Sequence, residues 1–250
     1  TLQKDRERNN MSIYVMSDIH GEKELFYRML QHIAFSDDDT LYILGDVIDR
    51  GPDGIALLQE IKDRRNIVML LGNHEHMMLE ALGYAYGLDD PVSTPREVAL
   101  MRWYRNGGKV THDYLKRIRK SLREEIVEYL LALPLNIHIQ VNETCYTLVH
   151  GASPEEYDPS GRYVSPVQFA VWNRWQYADF PHRKSTLIFG HTPTIHYQSD
   201  IPMKIKHGEN CIAIDCGSGY PQWSELERKG RLACIRLDDG KEFYSGEVIS

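Results

Sequence analysis

Gly45-Asp46-Val47-Ile48-Asp49-Arg50-Gly51 places two carboxylates and a guanidinium close together, between glycines. The apolar run Leu41 to Leu44 before it reads as a buried strand, so the three charged side chains leave a strand end together. Glycine on either side lets the backbone turn sharply. A carboxylate at Asp46 can bridge two cations. Asp49 can orient a neighbouring group, and Arg50 can hold an oxyanion such as phosphate. Taken by itself, the stretch is equally well read as a solvated loop at a helix start.

The same arrangement recurs four times. Ser12 to Met16 runs into Asp18 and His20, Ile67 to Leu71 into Asn73 and His74, Cys145 to Val149 into His150, and Thr186 to Phe189 into His191. A single histidine at a strand end is usually a satisfied surface or core residue. Five such clusters on one sheet edge point to a site, because open α/β sheets bind ligands beyond the carboxyl ends of their strands. Carboxylate, imidazole and amide oxygen together suit a borderline or hard divalent cation such as Mn, Fe, Zn or Mg. The absence of thiolates weighs against a structural zinc.

The elements that must position these clusters follow from periodicity. Strand, loop and helix alternate through Leu71, with Leu25, Met29, Leu30 and Ile33 on one helix face and Ile55, Leu58 and Ile61 on the next. That order predicts a parallel sheet with crossover helices. Residues 76–133 carry no strong strand signal and read as a helical segment, with helices over Pro95 to Tyr104 and Leu122 to Leu133. Trp103 to Gly108 reads as a loop, and the Met and aromatic residues of the segment as core. Beyond Pro134 strands return: a hairpin of Leu135 to Val141 and Cys145 to Val149, a short helix carrying Phe169, Trp172 and Arg174, and hairpin material over Ile201 to Lys206, Cys211 to Asp215, Leu232 to Leu237 and Glu242 to Val248. Residues 1–10 are expected to be a flexible tail or an expression remnant ahead of Met11, and residues 11–250 a single domain.

Composition is that of an ordinary globular chain, 42% hydrophobic and 26% charged. A net charge of −7 argues against a protein that coats nucleic acid, although a metal site can supply local positive charge for a phosphorylated ligand. No apolar run approaches the ~20 residues that span a bilayer, and the polar opening lacks the apolar core of a secretory signal. The four cysteines, Cys145, Cys211, Cys216 and Cys234, lie in strand-like apolar surroundings and read as buried thiols of a reducing compartment. A cytoplasmic protein is expected. The acidic run Asp37-Asp38-Asp39 reads as a solvated loop.

Asp-x-His-Gly, Gly-Asp-x-x-Asp-Arg-Gly, Gly-Asn-His-Glu, His-Gly and Gly-His, in this order over residues 18–191, resemble the metallophosphoesterases. More narrowly they resemble the phosphoprotein phosphatases and their phage and bacterial serine/threonine members. Trp103-x-x-Asn106-Gly107-Gly108 looks like the bacterial branch. The resemblance implies a four-layer α-β-β-α sandwich, two mixed sheets flanked by helices; the hydrophobic pattern alone supports only a mixed α/β domain. It implies two divalent metal ions, with Mn first and Fe, Zn, Ni, Co or Mg as alternatives. Asp18, His20 and Asp46 would hold one, and Asp46, Asn73, His150 and His191 the other. Pro193 stands where many metallophosphoesterases have the last histidine of Gly-His-x-His, which favours the phosphoprotein-phosphatase branch.

The implied chemistry is attack of a two-metal-activated water on a phosphomonoester. His74 would be the general acid, oriented by Asp49, and Arg50, Asn73 and Arg174 would hold the phosphoryl oxygens, with Arg162 as the reserve second arginine. His76, His112, His138, His182, His196 and His207 are read as surface or packing residues. The expected substrate is phosphoserine, phosphothreonine or phosphotyrosine in a protein, or a small phosphoester. A diadenosine tetraphosphate hydrolase or other nucleotide phosphoesterase is the alternative, with the helical middle and the Tyr157 to Tyr163 loop as its nucleoside surface. A catalytically silent phosphate-binding regulatory module is the non-enzyme alternative.

Overall fold

The computed structural model describes residues 11–87, 90, 94–176, 184–198, 203–220 and 230–245. The tail at 1–10, His182, and the ends of two expected strands (201–202 and 246–248) lie outside them.

Strand β1 (Ile13–Met16) is followed by helix α1 (Lys23–His32), β2 (Thr40–Ile43), α2 (Gly54–Lys62), β3 (Ile67–Met69) and α3 (Asn73–Leu82). The helical segment continues as α4 (Arg96–Arg105), α5 (Lys109–Leu115) and α6 (Lys120–Leu131). After it come the hairpin β4 (Asn136–Val141) and β5 (Thr144–Val149), then α7 (Pro166–Trp172), β6 (Thr186–Phe189), β7 (Lys206–His207), β8 (Cys211–Ala213), β9 (Ala233–Arg236) and β10 (Glu242–Tyr244).

The strands form two mixed sheets, ordered β10-β9-β1-β2-β3 and β4-β5-β6-β8-β7. β1, β2 and β3 are parallel, and so are β5, β6 and β8. The five clusters therefore sit on two sheet edges, not one. Register brings them level: Met16 pairs with Ile43 and Ile43 with Met69, while Val149 pairs with Phe189 and Phe189 with Ala213.

Burial explains the layering. Val15, Leu44 and Leu70 from the first sheet meet Leu148, Ile188 and Ile212 from the second in one apolar cluster. The other face of the first sheet packs Met16, Ile43 and Met69 against Phe26, Met29, Leu58 and Ile61 of the helices. Trp175 and Tyr197 cover Val149, Leu187 and Phe189 on the outer face of the second sheet. The result is an α/β sandwich of two mixed sheets flanked by helices.

Several local expectations are corrected. Trp103 to Arg105 belong to the end of α4, because the Trp103 indole is fully buried and pins the last turn. The helix α5 follows the two glycines directly, within the segment expected to be helical. α7 ends at Trp172, so Arg174 lies beyond it. Among the described residues of 201–206 only Lys206 is strand, and the last strand stops at Tyr244. Asp39 is buried, accepting hydrogen bonds from the backbone of Ser12 and Ser36. Cys145 is exposed, whereas the other three thiols are buried.

Candidate active site

The loop after β2 is shaped by a residue that sequence reasoning left without a role. Glu75, fully buried, accepts four backbone N–H groups: Asp46 and Gly72 on Oε2 at 2.9 and 3.1 Å, and Val47 and Ile48 on Oε1 at 2.9 and 3.2 Å. This cradle holds Asp46, Asp49 and Arg50 in the left-handed region, at φ 54°, 72° and 67°, a conformation L residues rarely adopt. Asp18, His20 and His191 are left-handed as well, so backbone strain concentrates at the mouth of the sandwich. Gly45 and Gly72 let the loops touch: a Cβ on Gly72 would stand 2.2 Å from Asp46 Oδ1.

The carboxylate of Asp46 faces two ways. Its Oδ1 lies 3.5 Å from His150 Nε2, and its Oδ2 lies 3.8 Å from His20 Nε2. Backbone carbonyls set both rings. His20 Nδ1 donates to Ile48 O at 3.1 Å and His150 Nδ1 donates to Leu44 O at 2.6 Å, so each ring turns its Nε2 inward. Asn73 Oδ1 lies 2.9 Å from His150 Nε2 and 2.7 Å from His191 Nδ1. An acceptor oxygen facing an imidazole lone pair at this distance is the arrangement a cation between them would satisfy.

Two groups gather enough donors within 4.8 Å of one another to hold an ion: Asp46 with His150 and His191, and His20 with Asp46 and His74. Asp18 stands beside the second group, its Oδ1 3.9 Å from His20 Nε2. Electrostatics agree with a cationic occupant. Burial, and then Asp215, push the Asp18 carboxyl well above its usual range, and burial with Glu75 does the same to Asp46. Burial and the Arg50 guanidinium push His20 and His74 well below the ordinary histidine value.

His74 is held at both ends. Its backbone N–H donates to Asp46 Oδ1 at 2.9 Å, and its Nδ1 donates to Asp49 Oδ2 at 2.7 Å. Its Nε2 faces the Arg50 guanidinium at 3.2 Å, whose other nitrogen lies 2.8 Å from His20 Nε2. The same guanidinium stacks on Tyr220, 4.3 Å from the ring centre. Arg174 donates to His191 O and Thr192 Oγ1 at 3.3 and 3.1 Å and lines the same cavity, of about 710 Å³, as Arg50 and His74.

Arg162 does not line this cavity; it stacks on Tyr163. Tyr157 and Tyr163 pack on Phe169, so their loop does not form the cavity wall. Trp172, Trp175, Tyr197 and Tyr220 do. His196, read as a surface or packing residue, also lines it. His76 pairs with buried Asp90 at 2.6 Å and packs away from the cavity. Asp215 was missed: β8 is a parallel strand like the others, and the carboxylate two residues past its end reaches the cavity.

Residues 11–217 match the family described as Calcineurin-like phosphoesterase. The chain belongs to the calcineurin-like phosphoesterases. It is 30% identical over 217 residues to the serine/threonine-protein phosphatase 2 of Salmonella typhimurium, covering 82% of this chain and 87% of that one. It is 38% identical over 105 residues to the symmetrical bis(5'-nucleosyl)-tetraphosphatase of Buchnera aphidicola, an alignment of 38% of each chain. The match thus spans well under half the length of that tetraphosphatase. In fold, the metallophosphoesterase from Sphaerobacter thermophilus superposes with a TM-score of 0.53 over 94% of this chain and 87% of its own, at 18% identity. Calcineurin-like phosphoesterases use divalent metals, and the donor groups around Asp46 are candidate ligand clusters of that kind.

Proposed function

We propose that this chain is a metal-dependent phosphomonoesterase acting on phosphoserine and phosphothreonine in proteins. One observation supports it above the others: His74, locked to Asp49, faces the Arg50 guanidinium inside a cavity whose floor carries two groups of cation ligands around a shared Asp46. The relative aligned over most of both chains bears the protein-phosphatase name, and this favours the phosphoprotein reading.

Asp18, His20 and Asp46 would hold one ion, and Asp46, Asn73, His150 and His191 a second, with Mn as the first choice. When bound, such ions supply charge stabilisation to the phosphoryl oxygens and acidity to a nucleophilic water. The protein supplies the rest. Arg50 and Arg174 converge on the cavity as forked donors for phosphoryl oxygens. Water forms the new P–O bond; the ester P–O bond breaks with its electron pair on the leaving oxygen. A doubly protonated His74 would deliver its Nε2 proton to that oxygen while its Nδ1–H stays on Asp49, and the proton given up by the attacking water restores the balance. Asp49 favours the ring orientation that makes this transfer possible. Residues 11–250 would act as one catalytic domain, and the four free thiols are in keeping with a cytoplasmic setting.

Trp172, Trp175 and Tyr197 on the cavity wall offer flat surfaces to a nucleobase and favour dinucleotide hydrolysis as a second reading. Phosphate release separates the two. Metal-stripped protein reloaded with Mn is assayed on phosphoserine, phosphothreonine and phosphotyrosine peptides beside diadenosine tetraphosphate, with Asp46→Asn as the blank. Turnover of the serine and threonine peptides with an inert dinucleotide is the expected result. The reverse preference moves the function to nucleotides, and silence on every ester returns a phosphate-binding module.

A further inference from the structure

The helical segment grips the strained Asp49-Arg50 pair at three points. Trp103 Nε1 donates to Asp49 Oδ2 at 2.8 Å, the oxygen that also accepts His74 Nδ1. Thr111 Oγ1 accepts the Asp49 N–H at 3.1 Å, and Gly107 O accepts the Arg50 N–H at 3.2 Å. Asp49 Oδ1 is buried with no partner at hydrogen-bond distance among the described residues, so the hydrogen bonds to the carboxylate fall on Oδ2, with the Thr111 hydroxyl also close enough to stabilise its charge. The two donors to Oδ2 come from two helices, the imidazole from α3 and the indole from α4.

The indole is itself built into place. Trp103 is fully buried, and its ring stands 5.4 Å from that of His112. Gly108 lies so close that a Cβ there would meet the indole at 2.2 Å. A buried tryptophan fills space with its ring. This one also sends its N–H, which has only one hydrogen to give, to the carboxylate that orients His74.

We propose that Trp103 is a positioning residue for leaving-group protonation, acting on His74 through Asp49. The proposal rests on the phosphatase reading above. Without the indole N–H, Asp49 Oδ2 loses one of its two donors, and the imidazole is held less firmly in the direction that presents Nε2 to the leaving oxygen. Ground-state binding of phosphate by Arg50 and Arg174 is untouched. The defect therefore grows with the leaving group's need for a proton.

Trp103→Phe keeps the buried ring and removes the N–H. On a phosphoserine peptide kcat is expected to fall at least about tenfold, the scale of a misplaced catalytic group, with KM unchanged. On 4-nitrophenyl phosphate, whose leaving group needs little protonation, the loss is smaller by a comparable factor. Gly108→Ala, which must displace the indole, reproduces the split by a second route. Equal losses on the two esters, or no loss, assign Trp103 to packing alone and overturn the proposal.

A readout free of turnover separates this from failure of the phosphatase reading. The Trp103 indole N–H resonance in the ¹H–¹⁵N spectrum is expected to move on Asp49→Asn and to stay in place on Arg174→Ala. An unmoved resonance in Asp49→Asn overturns the proposal even if the wild-type protein hydrolyses every ester. A moved resonance beside a wild-type protein inert on both esters, metal loaded, overturns it as well, along with the phosphatase reading.

Discussion

His150 belongs to the second sheet, yet its ring is set by Leu44 of the first, whose carbonyl takes the Nδ1 proton at 2.6 Å. A bond across the sandwich thereby decides which nitrogen faces Asn73 and Asp46. The metal-ligand groups are a property of the sheet–sheet interface as much as of the loops.

Asp46 faces donors from both sheets, so Asp46→Asn should weaken both of the proposed ion sites together. Elemental analysis after Mn loading and gel filtration is expected to show loss of more than one site's worth of metal. Loss of only one ion would mean that Asp46 serves a single site.

Glu75→Gln keeps the shape but halves the acceptor capacity that holds four backbone N–H groups. Each buried N–H left without an acceptor costs about 1–3 kcal/mol. With two N–H groups so left, a chain of this size should lose roughly 4–24 °C in Tm, read by circular dichroism. Metal affinity should fall with it, because Asp46 loses its fixed φ.

His74→Asn should lower kcat on phosphoserine by about 10²–10⁴, the range of general acid–base catalysis. The loss on 4-nitrophenyl phosphate should be much smaller. Steady-state kinetics with both esters at saturating Mn decides it; an unchanged phosphoserine kcat would remove His74 from the acid role.

Burial pushes the Asp49 carboxyl up to about 7 from a usual value of 3.8. A carboxyl raised in the folded state binds its proton more tightly there than when unfolded. Its contribution is therefore fully present below about pH 4 and is lost as pH rises through about 7, at up to roughly 1.4 kcal/mol per pH unit. In metal-free protein, thermal unfolding between pH 4 and 7 should show that slope, and Asp49→Asn should flatten it. An identical slope in the variant would assign it to other buried carboxylates.

Much of the site was readable in one dimension because each ligand cluster follows its own strand immediately. Asp18, Asp46, Asn73, His150 and His191 needed only a local rule: a polar side chain at the end of an apolar run, with a glycine between at Asp46, Asn73 and His191. Asp215 obeys a looser version of that rule and escaped it, since Cys211–Ala213 is as short as a hairpin strand and only pairing with β6 reveals it as parallel. Glu75 and Trp103 escaped for a different reason. Their partners lie 29 and 54 residues away along the chain, and no spacing rule connects them.

The sequence by itself determined the ligand types, their order along the strands and the family, because these depend on local chemistry and on motifs short enough to survive without context. Only the tertiary structure decided that the clusters belong to two sheets packed face to face, and that Asp46 turns one oxygen toward each. It also decided that a tryptophan of the helical segment shares the carboxylate oxygen that orients His74. Those are distances between segments far apart in the chain, and packing of the two sheets and the helices sets them.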